Sequence, residues 1–157
     1  MPKKFKSLSY LLEPDPKFND KLAGKFINSL MWGGKKSVAQ RMFYKALEVV
    51  GKKVEGVNPI EVFNTALNNV KPIIEVRSKR VGGATYQVPI QVTSKRQMSL
   101  AIRWIIQSVR KKKGRPILQK LADELIAAYK KEGDAMTIRQ NIHKMAEANR
   151  AFAHFAY

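Results

Sequence analysis

His143 and His154 are the only two histidines of the chain, they stand eleven residues apart, and there is no cysteine. Zinc takes four nitrogen or sulfur ligands at short paired spacings, so this pair offers no metal centre and each ring is expected to make an ordinary polar contact. Asp123 and Glu124 are neighbours in sequence. Consecutive helical residues point in different directions, which does not set two carboxylates across a substrate, and both are read as surface acids. Gly33-Gly34-Lys35-Lys36-Ser37 has the ingredients of a phosphate loop without its Gly-x-x-x-x-Gly-Lys-Ser/Thr spacing, and it follows a helical pattern. It reads as a helix end with a basic flank. No serine lies in a nucleophile elbow. The expectation is a protein that is not an enzyme, with no cofactor and no small-molecule substrate.

What the chain does hold is cations. Thirty Lys and Arg face twelve Asp and Glu, for a net charge of +18 over 157 residues. Such self-repulsion opposes compaction, and a polyanionic partner relieves it. The placement is more informative than the total. From Glu75 to Asp123 there are 47 intervening residues without an acid, and they hold twelve bases: Arg77, Lys79, Arg80, Lys95, Arg96, Arg103, Arg110, Lys111, Lys112, Lys113, Arg115 and Lys120. A solvated face mixes both signs, whereas a nucleic-acid footprint concentrates one. With no cysteine a reducing compartment fits. No apolar run reaches 18 residues, so no membrane partner is expected and the cytoplasm is the expected location.

These side chains need a scaffold, and the sequence outlines a mainly helical one. Residues 1–14, with Lys3, Lys4 and Lys6, show no sustained period and read as a basic arm, and residues 15–157 as one helical domain. Asp15-Pro16 fits the cap and first position of a helix carrying Leu22, Phe26, Ile27 and Leu30 to Gly33. Val38, Ala39, Met42, Phe43, Ala46 and Val50 line a second helix over 36–51, with Lys35, Lys36, Arg41 and Lys45 largely off that face. Asn58-Pro59-Ile60-Glu61 opens a third, which Pro72 stops after Val70. From 73 to 92 the residues are β-rich and broken by Gly82, Gly83 and Ala84, which predicts a two-stranded hairpin. Its tip is polar on both faces, so it should project and depend on a partner. Ser94 with Gln97 caps a fourth helix containing Met98, Ile102, Ile105, Ile106 and Val109. Gly114 and Pro116 precede a fifth through Leu118, Leu121, Leu125 and Tyr129. A sixth starts at Thr137 or Asp134 and turns Ile138, Ile142, Met145 and Ala146 inward.

Folded RNA suits these residues. Phosphates accept cations from several elements at once, and the candidates are the basic-stretch residues named above other than Lys120, together with Lys3, Lys4, Lys6, Lys35, Lys36, Arg41 and Lys71. Gly82 and Gly83 make a thin turn able to approach a sugar-phosphate backbone. Tyr86 beside it either stacks on a base or packs across the ribbon. Trp104, at helical spacing among Leu100, Ala101 and Ile105, is expected in the core.

Five blocks, in order along nearly the whole chain, carry a resemblance: Glu13-Pro-Asp-Pro-Lys-Phe18, Gly34-Lys-Lys-Ser37, Arg80-Val-Gly-Gly-Ala-Thr-Tyr-Gln-Val-Pro-Ile90, Ala101-Ile-Arg-Trp104 and His143-Lys-Met-Ala-Glu-Ala-Asn-Arg-Ala-Phe-Ala-His-Phe155. Together they are similar to the seventh small-subunit ribosomal protein family in its bacterial or organellar form. The resemblance implies a helical bundle with a protruding β-hairpin that binds the 3′ major domain of small-subunit ribosomal RNA and helps start assembly of the subunit head. It implies that Arg77, Ser78, Lys79, Arg80, Val81, Gly82, Gly83, Ala84, Thr85 and Tyr86 lie near the exit-site transfer RNA and the messenger path. It also implies that Ala148, Asn149, Arg150, Phe152, His154 and Phe155 meet the eleventh small-subunit protein, within a cytoplasmic or organellar ribosome. The arm here uses lysines where the family often has arginines, and the chain ends Phe155-Ala156-Tyr157 where the family often has a base. A DNA-binding nucleoid protein is the rival reading, since helices with a basic ribbon serve that role too.

Overall fold

A computed structural model describes residues 12–156. The arm lysines Lys3, Lys4 and Lys6 lie outside the described residues. The order is α1 (Lys21–Leu30), α2 (Lys36–Lys53), α3 (Pro59–Val70), β1 (Ile74–Val81), β2 (Ala84–Gln91), α4 (Ser94–Lys111), α5 (Ile117–Tyr129), α6 (Asp134–Ala148) and a C-terminal 3-10 helix (Arg150–Ala156). The mainly helical fold with one hairpin between α3 and α4 is the predicted one, with the 3-10 helix added. Among the described residues no helix is long and apolar enough to cross a membrane.

The core is assembled from the faces that the helical period set aside. Phe26 of α1, Phe43 of α2 and Phe63 of α3 are fully buried and meet edge to face or tilted, with centroids 5.1 to 5.5 Å apart. Leu121 and Leu125 from α5 and Ile105 from α4 are also fully buried in this cluster. Trp104, at 5% exposure, belongs to it as expected. Asn58 caps α3 by accepting from the Ile60 amide, with Pro59 in the first turn, as the sequence indicates.

Several local expectations change. Asp15 does not cap α1; Asp20 does, by accepting from the Leu22 amide at 2.7 Å. Asp15 is itself buried and accepts from the Lys17 and Phe18 amides and from the Tyr44 hydroxyl, so it pins a turn before the helix onto α2. Thr93 rather than Ser94 occupies the cap position of α4, and Gln97 donates to the Val92 carbonyl. Of the two possible starts for α6 the structure takes Asp134. Val38 and Met145, expected inside, are exposed, because each falls at the edge of its helix's apolar stripe. Glu124, expected on the surface, is fully buried.

The hairpin is tighter than predicted. Val81 pairs with Ala84, which leaves Gly82-Gly83 as a two-residue turn with φ of +57° and +89°. Of the two-residue connections that match strand twist, the type I′ turn needs positive φ at both positions, which glycine adopts without strain. Pro89 stands opposite Val76 in a ribbon that has only edges, where a missing donor is tolerated. The ribbon does not project unsupported. Tyr86 packs against Phe152 and Phe155 at 5.2 and 5.0 Å, and Lys79 Nζ donates to the Phe155 carbonyl at 2.7 Å, so the 3-10 helix braces its outer half. This contact between distant segments carries no periodic signal.

Candidate nucleic-acid interface

Two helices bring the basic residues together. On α4, Arg96, Ser99, Arg103 and Arg110 recur at spacings of three, four and seven, which aligns them on one stripe beside the buried Leu100-Trp104 face. On α1, Lys25 and Ser29 form a matching short stripe four residues apart. Between the helices runs a groove of about 480 Å³ lined by Ser29, Ser99, Arg103, Gln107 and Arg110 together with Ile102 and Ile106. A shallower recess of about 310 Å³, lined by Lys25, Thr93, Lys95, Arg96 and Ser99, shares Ser99 with it. The result is a trough whose α4 wall carries Arg96, Arg103 and Arg110, whose α1 wall carries Lys25 and Ser29, and whose lining also holds the Ser99 hydroxyl, the Gln107 amide and two isoleucines. Such a lining suits a phosphate backbone, because it supplies several positive donors without enclosing any atom that could react.

The predicted bases divide by what they already bind. Lys35, Lys36, Arg41, Arg103, Lys111, Lys113 and Arg80 are exposed. Glu75, nearly buried at the hairpin base, accepts from Arg77 and from Arg96 Nε at 3.2 Å, which ties the ribbon to the start of α4. Arg115 approaches Asp123 at 3.6 Å, and Asp123 also accepts from Lys53 at 2.6 Å. Lys71 Nζ donates to Asn68, while its carbonyl accepts from Arg139. Lys112 turns inward to Glu124 and Asp134. Burial disfavours its charge, but the Glu124 hydrogen bond and the two carboxylates outweigh that and hold its pKa above the usual lysine value.

The sequence reading missed Lys25 and Trp32. Lys25 could have been found from its spacing to Ser29. Trp32 lies between the last buried residue of α1 and Gly33-Gly34, off the apolar stripe, and that offset was the available signal. Neither histidine joins a metal set, and among the described residues no group of three or more His, Cys, Asp or Glu is placed to hold an ion. His143 Nε2 accepts from the Ile73 amide at 3.2 Å; burial first, and then the Arg139 charge, lower its pKa. His154 Nδ1 lies 2.8 Å from the Ala151 carbonyl, inside the 3-10 helix. Tyr86 is held by phenylalanines, an arrangement the sequence reading did not foresee.

A helical body with a cationic trough and a basic hairpin has the charge placement of a nucleic-acid-binding protein. Comparison with known proteins makes the class specific. Residues 2–150 match the family of ribosomal protein S7p/S5e. A protein of Rhodopirellula baltica described as small ribosomal subunit protein uS7 is 65% identical over 144 residues, covering 91% of this chain and 92% of its own length. Proteins with the same description from Thermosipho melanesiensis and Thermotoga maritima are each 53% identical, over 92% and 93% of this chain and 92% and 94% of theirs. The chain belongs to the S7p/S5e family of ribosomal proteins, whose members are structural and not enzymes.

Proposed function

We propose that this chain is a structural constituent of the small ribosomal subunit that grips the 3′ major domain of its RNA and nucleates the subunit head. The ribosomal and RNA-binding role follows from family membership. The domain of RNA is our reading; the α1–α4 trough is the observation that supports a grip on folded RNA, since the α4 arginines and Lys25 of α1, held by one core, face the same polyanion. Residues 1–14 act as a basic arm added to the domain of residues 15–157, with Lys3, Lys4 and Lys6 reaching further phosphates.

The hairpin residues Arg77 to Tyr86 lie near the exit-site transfer RNA and the messenger path in this reading. The exposed Arg80 and the open Gly82-Gly83 turn support it, since a Cβ at either glycine would meet nothing within 4 Å and a sugar-phosphate backbone can approach closely. Ala148, Asn149, Arg150, Phe152, His154 and Phe155 form the face toward the eleventh small-subunit protein, with the Phe152-Phe155 pair doubling as the hairpin brace. The bacterial relatives favour a cytoplasmic bacterial ribosome over an organellar one.

Hydroxyl-radical footprinting on protein-free small-subunit RNA tests the reading. The expected result is protection confined to the 3′ major domain and weakened when Arg103 and Arg110 are changed together to Gln. Protection elsewhere, or none, refutes it.

A further inference from the structure

Trp32 is 76% exposed, the largest exposure among the large apolar side chains of the described residues. An indole left in water forgoes the burial that usually places tryptophan in cores and interfaces, so a cover is expected. Arg110 sets its orientation. The guanidinium carbon lies 5.1 Å from the ring centroid, and Nη2 of the same group donates to the Leu30 carbonyl at 3.1 Å. The ring is thus backed by a fixed planar cation while most of it faces solvent. Beside it is a recess of about 200 Å³ lined by Trp32, Lys35, Val38, Met42, Arg110 and Ile117. That volume falls below the roughly 300 Å³ where small-molecule pockets begin. It suits one flat ring system laid against an apolar floor.

We propose that Trp32 is a stacking platform for one unpaired RNA base, with Lys35 and Arg110 taking the phosphates on either side of that nucleotide. This rests on the RNA-binding reading and names a contact within it. Two observations favour a nucleotide over an apolar protein surface. The rim is cationic, with Lys35 and Arg110 on the recess and exposed Lys36 next to it. Arg110 also lines the α1–α4 trough, so a backbone lying there is led directly to the indole. A paired base is already stacked on both faces and has none to offer, which limits the ligand to a bulged, looped or single-stranded nucleotide. Because every base has a π face, the contact adds affinity without reading sequence.

Titration of the full chain with protein-free small-subunit RNA, following tryptophan emission and equilibrium affinity together, tests this. Trp104 is buried, so the emission change is assigned to Trp32 by its loss in Trp32→Phe. The expected results are an emission change on binding, a loss of affinity of about tenfold in Trp32→Ala, near-full affinity in Trp32→Phe, and a salt dependence unaltered in both because no cation is removed. Trp32→Ala should keep its helical circular dichroism, which separates lost stacking from lost folding. Unaltered affinity in Trp32→Ala with unchanged emission, while the parent chain still binds, overturns the stacking role and leaves the RNA reading standing. Failure of the parent chain to bind RNA overturns both.

Discussion

The ammonium of Lys112 rests against the carboxylate of Glu124, a side chain with no exposure to solvent. Glu124 Oε1 also accepts from the Ala135 amide at 2.8 Å, so one buried acid joins the end of α4 to the start of α6 through α5. Lys112→Met keeps the stem and removes the cation, stranding a buried carboxylate with one remaining donor. The expected cost is about 3 kcal/mol, at the low end for a broken buried pair because water already screens the 36% exposed lysine. Urea unfolding should show it as a lower midpoint at unchanged slope. A change under about 0.5 kcal/mol, ordinary for a surface site, contradicts the structural role.

The Tyr44 hydroxyl donates to Asp15 Oδ1 at 2.7 Å, and burial, followed by the Asp15 hydrogen bond and charge, raises its pKa to about 12 from 10.0. The folded state holds this proton more tightly than the unfolded chain does. Its contribution is therefore complete below pH 10.0 and is lost as pH rises toward about 12. Tyr44→Phe should destabilise the chain at neutral pH by about 1.5 kcal/mol, the value of a hydrogen bond to a charged acceptor, and should blunt the alkaline loss. Equal alkaline profiles for the two proteins contradict this.

How much of this was legible in the sequence depends on range. Phe26, Phe43 and Trp104 reach the core because helical spacing sets the inward face, and Asn58-Pro59 caps α3 because the cap needs only neighbouring residues. Glu124 was misread since an acid in an amphipathic helix looks exposed until Lys112 and the Ala135 amide come to meet it. Asp15 was misread for the same reason, as its Tyr44 partner is 29 residues away. The hairpin was visible from Gly82-Gly83, but its brace was not: Tyr86 and Phe155 share no pattern and meet only through the return of the chain. At the interface the basic stripe of α4 was foreseeable from charge and spacing. The trough needed α1 alongside, and the pairing of α1 with α4 is a tertiary fact.

His143 accepts the Ile73 amide hydrogen through Nε2, which requires that nitrogen to be unprotonated. Its pKa is lowered from 6.5 by burial and then by Arg139, so the folded state binds fewer protons than the unfolded chain. The associated stability is complete above pH 6.5 and is lost as pH falls through the lowered value. Hydrogen exchange at the Ile73 amide should accelerate relative to its intrinsic rate as pH falls below 6.5 through the lowered His143 value, while core amides in α3 hold their protection. Protection at Ile73 that stays constant down to the acid unfolding of the chain contradicts the account.

Arg77, Lys79 and Arg80 can be replaced together by glutamine without unfolding the helical body. Glu75 keeps Arg96, and the ring contacts of Tyr86 with Phe152 and Phe155 still brace the ribbon. Helical circular dichroism should be unchanged. The slope of log affinity for RNA against log salt should fall by about 0.7 to 0.9 for each phosphate contact removed. Loss of the helical signal means that the ribbon supports the core more than its contacts indicate.

The most direct measurement of the central claim, that a concentrated cationic surface on a rigid helical body is built for folded RNA, is equilibrium binding of the full chain to the 3′ major domain transcript at increasing salt with duplex DNA as competitor. Neutralising about six to ten phosphates predicts that log affinity falls with log salt at a slope of several units, and that DNA at equal salt does not displace the transcript. A nearly flat salt response, or displacement of the transcript by DNA at equal salt, contradicts it.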